Sequence, residues 1–268
     1  MTDPTFDRFR LHGHHALVTG GTQGIGAAIA EGIAQAGADV TLIGLHDDDA
    51  AQATLQRCRG HGVRCQLIVV DLAMPISLIL EALFVQHAEQ LRSVDLLVNN
   101  AGICIDVPFL EMDLDRYQRT QQVNVTAGYF LTQAFARRWV ADKIPGRVLF
   151  TGSINGQLSE MDHSAYDTSK GAVASMVRTL CVALAPLGIR VNAIAPGLIR
   201  TPLTSPTIDQ PEFHRWMQVH TPDGRVPGPE VCAGAAVFLL SDAAEFVHGQ
   251  TLLVDGGISA MQVPELPS

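Results

Sequence analysis

Near the middle of the chain stand residues whose types and spacing suit acid–base chemistry. In "SAYDTSK", residues Ser164 to Lys170, Tyr166 precedes Lys170 by four positions. Four residues is one helical turn, so phenol and ammonium share a helix face, one above the other. Ser153 lies thirteen residues before Tyr166, just past the apolar run "RVLFT" (147–151). A free tyrosine titrates near 10, and lowering it by about three units takes roughly 4 kcal/mol. One ammonium about 4 Å away at an effective dielectric near 20 is worth roughly that much. Lys170 could therefore turn Tyr166 into a general base near neutral pH. The plainer reading is a packed phenol beside a solvated lysine, and the spacing alone does not separate the two.

The elements that would hold these residues are legible as short apolar runs: "ALVT" (16–19), "DVTLI" (39–43), "QLIVV" (66–70), "DLLVN" (95–99), "RVLFT" (147–151), "RVNAI" (190–194) and "TLLVD" (251–255). Between them lie Ala-rich segments with helical spacing, such as "GAAIAEGIAQAG" and "GAVASMVRTLCVALAPLG". Strands so continuously apolar are covered on both faces, and their alternation with helices implies right-handed parallel crossovers. The fold class is α/β, a doubly wound parallel sheet of about seven strands, in one domain over residues 1–268 with no repeat and no linker. Residues 196–229 differ in texture and hold seven of the fourteen prolines, which reads as a substrate lid.

Ligands of such sheets bind at the carboxyl ends of the strands. There the first strand runs into "TGGTQGIG", with Gly20, Gly24 and Gly26 ahead of a helix. Glycines let backbone N–H groups and the helix N-terminus approach a pyrophosphate, so this strand–turn–helix predicts a bound dinucleotide rather than a plain tight turn.

Composition narrows the classes further. The 268 residues are 47% hydrophobic and 17% charged, a globular balance. A net charge of −9 argues against nucleic-acid or anionic-membrane partners. Cys58, Cys65, Cys104, Cys181 and Cys232 are odd in number and never paired as C-x-x-C, which points to a reduced, cytoplasmic setting without a zinc site. The first ten residues carry no apolar leader and no apolar run reaches 18 residues, so neither a signal peptide nor a membrane span is expected. The cluster "HGHH" ending at His15 leads straight into the first strand, and no metal role is assigned to it.

Together these motifs resemble the short-chain dehydrogenase/reductase family over nearly the whole chain. The turn 19–26, "NNAG" at Asn99 to Gly102, "VNV" around Asn124, Ser153, Tyr166-x-x-x-Lys170, "PG" at Pro196–Gly197 and "VDGG" ending at Gly257 follow the family's order and spacing. The resemblance implies a Rossmann-like sheet, a nicotinamide cofactor, and hydride transfer between it and a secondary alcohol or ketone. It also implies roles. Tyr166 would be the base, and Lys170 would lower it and hold the nicotinamide ribose. Ser153 would steady the substrate oxygen, and Asn124 would hold a relay water. Cofactor contacts would come from Gly20, Thr22, Gln23, Gly24, Ile25 and Gly26 of the turn, and from Gly44 and Leu45 after the second strand. Asp71 and Leu72 would line the adenine. Asn99, Ala101 and Gly102 would pass behind the adenosine ribose, with Pro196, Gly197, Ile199 and Thr201 toward the carboxamide. Asp71 also reads as a strand-end turn residue, Ser153 as a turn cap, and Asn124 as a buried amide serving backbone.

The family also pairs helices across a two-fold axis into tetramers, which would here involve segments 113–140 and 165–186, with Ala134, Phe135, Ala174 and Val177 as candidates. The second strand ends without an acid for a ribose 2′-OH and without an arginine for a 2′-phosphate. Asp47, Asp48 and Asp49 follow instead, with His46 beside them, so NAD is favoured and NADP possible. The loop before Tyr166 is polar, and Asn155, Gln157, Glu160 and His163 could hydrogen-bond several hydroxyls, favouring a sugar or polyol. His214 and Trp216 could close over a sugar face or pin the lid. Two alternatives stand: a non-enzymatic dinucleotide sensor on this fold, and a reductase of a carrier-bound 3-oxoacyl chain. The second would want basic docking residues, for which Arg137, Arg138 and Lys143 offer a modest cluster.

Overall fold

The computed structural model describes residues 4–262, so both ends of the expected 1–268 unit lie outside the described residues. Seven strands form one sheet in the order β3-β2-β1-β4-β5-β6-β7. They are β1 (His15–Thr19), β2 (Asp39–Gly44), β3 (Cys65–Val69), β4 (Leu96–Asn99), β5 (Arg147–Thr151), β6 (Arg190–Pro196) and β7 (Thr251–Val254). Every neighbouring pair is parallel. The α-helices are α1 (Pro4–Asp7), α2 (Gly24–Gln35), α3 (Asp49–Gly60), α4 (Ile76–Glu81), α5 (Ala88–Leu91), α6 (Leu114–Gln121), α7 (Ala127–Asp142), α8 (Ser164–Leu184), α9 (Ser205–Ile208), α10 (Pro211–His220) and α11 (Ala233–Leu240). All seven apolar runs became strands, within a residue or two of the expected ends.

Alternation along each strand divides the core into two layers. Leu17, Ile43, Leu97 and Val148 face Leu131, Phe135 and Trp139 of α7 and Val173 and Val177 of α8. Ala16, Val18, Leu42 and Val98 face Ile29 and Ile33 of α2 and Ala236 and Leu240 of α11. Trp139 is fully buried, and its indole N–H donates to the Val94 carbonyl at 2.7 Å, which removes the cost of enclosing that donor.

Phe135 and Val177 are thus core residues, at 0% exposure, and do not face outward as the assembly reading required. A helix against this sheet buries a stripe wide enough to hold both. The histidines of "HGHH" stitch β1 to its surroundings: His14 Nδ1 pairs with Asp95 Oδ2 at 2.6 Å, and His15 reaches Ser93 and Thr41, each at 2.8 Å. Burial pushes the His15 pKa below its ordinary value. All five cysteines are unpaired. One helical stretch, Ser164–Leu187, is long and apolar enough by length and composition to cross a membrane; here it packs against β6 and carries buried Lys170.

The order of the strands reverses between β1 and β4, so the loops leaving these two strands part and open a crevice above them. The Pro-rich segment begins beside that crevice, at the end of β6, and contains α9 and α10, each opened by a proline in its first turn.

Candidate active site

The crevice is a cleft of about 340 Å³ at the carboxyl ends of the strands. Its floor is stitched by side chains the sequence reading passed over. Thr19 Oγ1 accepts the N–H groups of Asn100 and Ala101 at 2.9 and 3.0 Å. Asn100 Nδ2 donates back to the carbonyls of Thr19 and Gly20, and Thr151 Oγ1 donates to Asn100 Oδ1 at 3.1 Å. The ends of β1, β4 and β5 are fixed to one another in this way. The second asparagine of "NNAG" was the available signal.

The Gly-rich turn fits a pyrophosphate. Gly24 sits at φ +56°, and a Cβ there would project to within 3.5 Å of Thr201 and 3.7 Å of Pro202, into the space between turn and lid. At Gly26 a Cβ would lie 2.1 Å from the Gly20 carbonyl oxygen, so only glycine lets α2 start this close to β1. The Gln23 side chain makes no cap on α2, which leaves the N-terminus of the helix turned to the cleft.

Gly20, Thr22, Gln23, Gly24, Ile25, Gly26, Gly44, Leu45, Asp71, Leu72, Ala101, Gly102, Pro196, Gly197, Ile199 and Thr201 all line the cleft. Asn99 does not. It is still a strand residue, and its side chain alternates to the far face, where Nδ2 donates to Thr132 at 3.0 Å. Asn100, one step on, takes its place. Asp71 lines the cleft and also holds a turn, accepting from Ala73 N at 2.8 Å. Arg119, Leu203 and Thr204 line it too, unforeseen because nothing in their local sequence sets them apart.

Ser153, Tyr166 and Lys170 converge on the same cleft. Ser153 caps the short 3-10 turn Ile154–Gly156 through Asn155 N at 3.1 Å, so its turn-cap reading also holds. Burial pushes the Tyr166 phenol above its ordinary range, while a hydrogen bond with Ser153 works the other way. Burial lowers Lys170 to about 8. Its Nζ donates to the Thr151 carbonyl at 2.9 Å and stands 5.4 Å from the centre of the Tyr166 ring. The ammonium expected beside the phenol is thus also tied to backbone, through the Thr151 carbonyl.

Asn124 lies in a single π-helical turn, Gln122–Thr126, between α6 and α7, a feature the residue pattern did not announce. Its amide clasps Ile103, accepting from the backbone N at 2.8 Å and donating to the O at 2.9 Å, and donates also to Ser169 at 2.9 Å. A Cβ at Gly102 would come within 3.4 Å of Asn124 Oδ1 and 3.7 Å of Lys170 Nζ, so both bound one small space.

The suspected substrate residues divide. Asn155, Gln157 and Glu160 line a separate depression beside Ser164 and Thr168. Asn155 is buried, its Nδ2 held by Asp167 at 2.8 Å and Glu160 at 3.2 Å, which leaves it a structural amide. His163 does approach the reactive end, edge-on to Tyr166 with ring centres 5.9 Å apart. In the Pro-rich segment, Trp216 stacks on His220 at 4.0 Å and on Phe213 at 5.7 Å, and His214 lies by Arg200. Both serve the packing of the Pro-rich segment itself.

Comparison with known proteins agrees with this geometry. A family model described as enoyl-(acyl carrier protein) reductase matches residues 20–259. The chain is 37% identical to L-rhamnose 1-dehydrogenase (NAD(P)(+)) of Sphingomonas sp. (strain SKA58), covering 92% of this chain and 97% of that one. It is 36% identical to 5-keto-D-gluconate 5-reductase of Escherichia coli (strain K12), covering 94% and 98%. A crystal structure of a putative 2-deoxy-D-gluconate 3-dehydrogenase from Agrobacterium tumefaciens with bound NADP superposes at a TM-score of 0.87, with 35% identity and 95% and 99% coverage.

Proposed function

The chain belongs to the short-chain dehydrogenase/reductase family, and from that premise we propose that it is an NAD(P)-dependent sugar dehydrogenase. The observation that carries the reading is the convergence of Ser153, Tyr166 and Lys170 on the cleft whose other end is the Gly-rich turn. Relatives acting on rhamnose and ketogluconate support the sugar class.

A nicotinamide dinucleotide, when bound, supplies the hydride acceptor or donor. The chain supplies the proton chemistry and the alignment. Ser153 holds the substrate oxygen by hydrogen bond, and Tyr166 takes the hydroxyl proton in oxidation or returns it in reduction. Lys170 keeps positive charge beside the phenol and would hold the nicotinamide ribose of the bound cofactor. Asn124 fixes the loop after β4 through Ile103 and completes the proton path by way of Lys170. Segment 196–229 acts as a lid, with Thr201, Pro202, Leu203 and Thr204 facing the cleft.

NAD is the preferred cofactor in this reading. Where an acid would bind the 2′-OH stands Gly44, and a Cβ there would lie 2.5 Å from Thr22 Cγ2. Among the aspartates that follow, Asp48 caps α3 through Ala51 N at 2.9 Å, and Asp47 is bound by Gln52. The nearest arginine of α3, Arg57, is bound to Glu31 and Thr54. No uncommitted cation among the described residues at the end of β2 answers a 2′-phosphate. The thiols, none in a disulfide, suit a reducing compartment such as the cytoplasm.

The test is reduction of NAD and NADP by a panel of aldoses, polyols and gluconate, and oxidation of NADH and NADPH by ketogluconates, followed by NADH or NADPH absorbance at one ionic strength. Turnover of a sugar with kcat/KM higher for NAD is the expected result. Cofactor binding without turnover of any substrate would favour the sensor, and a tenfold preference for NADP would reverse the cofactor assignment. The acyl-carrier reading keeps only two of its three docking residues, because Arg138 spends its guanidinium on the carbonyls of Leu91 and Val94.

A further inference from the structure

We infer that the substrate end of the cleft is built for an uncharged polyhydroxy compound and against a sugar acid, and that Asp106 makes the distinction. The inference rests on the sugar reading above and chooses within it.

His163 connects the catalytic tyrosine to this carboxylate. Its ring lies edge-on to Tyr166, and its Nε2 stands 3.1 Å from Asp106 Oδ1. Cys104 Sγ donates to the same oxygen at 3.0 Å. Asp106 is therefore held from two sides by one oxygen, while Oδ2 has no protein partner and the side chain is 61% exposed. A fixed carboxylate with a free oxygen is an acceptor, and it matches the hydroxyl donors of a sugar. A carboxylate on the substrate would bring only acceptors and a like charge to the same place.

The surrounding charges deepen the contrast. Glu160 Oε1 lies 3.5 Å from His163 Nδ1, so the imidazole is enclosed by two acids. Hydrogen bonding to Glu160 raises the His163 pKa, with burial opposing and Asp106 adding to the rise. A protonated His163 is thus already answered twice. Asp167 adds a third carboxylate behind them, holding Asn155 and the Glu160 backbone. Neither loop that carries these groups, 100–113 or 152–163, contains a lysine or an arginine. Lys170 is buried on the Thr151 carbonyl, and Arg200 is paired with Asp209. Arg119 also lines the cleft, from α6 rather than from the loops that carry Asp106 and His163. Relatives of this chain include enzymes named for both substrate kinds, so family membership leaves the choice to these residues.

The experiment compares kcat/KM for L-rhamnose and D-glucose with that for D-gluconate and 5-keto-D-gluconate, each in its reactive direction, for the wild type and for Asp106→Asn. The neutral sugars should be preferred at least tenfold by the wild type. Added salt should raise the value for the acids and leave that for the neutral sugars flat, because only the former approach against charge. Asp106→Asn should shrink the preference and its salt dependence together. The salt series on the wild type stands even where the variant folds poorly. A preference for the acids, or a ratio unmoved by both salt and substitution, overturns the inference alone. Turnover of neither class overturns the sugar reading, and this inference with it.

Discussion

At the residue scale, the phenol and the ammonium are each displaced toward neutrality, and for the same reason. Burial pushes Tyr166 up and brings Lys170 down to about 8, with the hydrogen bond from Ser153 opposing the rise at Tyr166. Of the two, the ammonium is the one brought within reach of neutral pH, losing its proton near pH 8. Oxidation needs the pair short of one proton, and reduction needs it complete. Raising the pH therefore favours oxidation: its kcat/KM should climb about tenfold per pH unit below about 8 and flatten above. Reduction should run the opposite way. A flat pH profile for oxidation between 6 and 8 would remove Tyr166 as the base. Tyr166→Phe should likewise abolish oxidation while NADH, followed by its fluorescence, still binds with nearly unchanged affinity. A variant retaining more than a few per cent of kcat would contradict the assignment.

At the scale of elements, the cleft depends on how closely α2 approaches the end of β1. At Gly26 a Cβ would meet the Gly20 carbonyl at 2.1 Å and Asn100 Nδ2 at 2.4 Å, and neither can yield without tearing the stitching of β1 to β4. Gly26→Ala should cost about 1–3 kcal/mol, lowering Tm by roughly 5 °C, and should weaken NADH binding at least tenfold. Gly234→Ala in α11, where an added Cβ meets nothing within 4 Å, serves as the control and should hold or raise Tm. An unchanged Tm and affinity in Gly26→Ala would show that the turn is not set by this contact. The sheet and this turn were legible because both are written locally, in apolar runs and in glycine spacing. The π-turn at Asn124 was not, since nothing in "QVNVT" sets it apart from the helices it joins. Asn99 was misplaced by one residue, which on a strand means the opposite face. Asn155 and Glu160 were read as free polar groups because a sequence does not reveal that they bind each other.

At the scale of the whole molecule, two apolar surfaces are left uncovered. One gathers at the β7 edge of the sheet: Leu252 and Leu253 are part-exposed there, with Phe246 at 96% and Val182 of α8 at 78%. Val182 belongs with this group because a Cβ at Gly249 would lie 3.0 Å from the Sγ of its neighbour Cys181. The other precedes and opens α6, where Phe109, Leu110 and Leu114 stand out, Leu110 at 94%. An exposed edge strand flanked by large apolar side chains invites pairing, and a second copy of the chain offers the same surface in a self-complementary arrangement. Two separate self-complementary surfaces on one subunit would build a closed tetramer of two-fold axes, which we propose for this chain. Of the residues expected at such faces Phe135 and Val177 went to the core, while the exposed Leu114 and Val182 lie in the two segments expected, 113–140 and 165–186. Light scattering at micromolar concentration should give a mass that is a multiple of 28.7 kDa. Phe246→Asp with Val182→Asp should lower that mass while leaving the far-ultraviolet dichroism intact, since neither side chain is part of the buried core. A monomeric wild type, or a double variant of undiminished mass, would mean that these apolar surfaces have another purpose than joining copies of this chain.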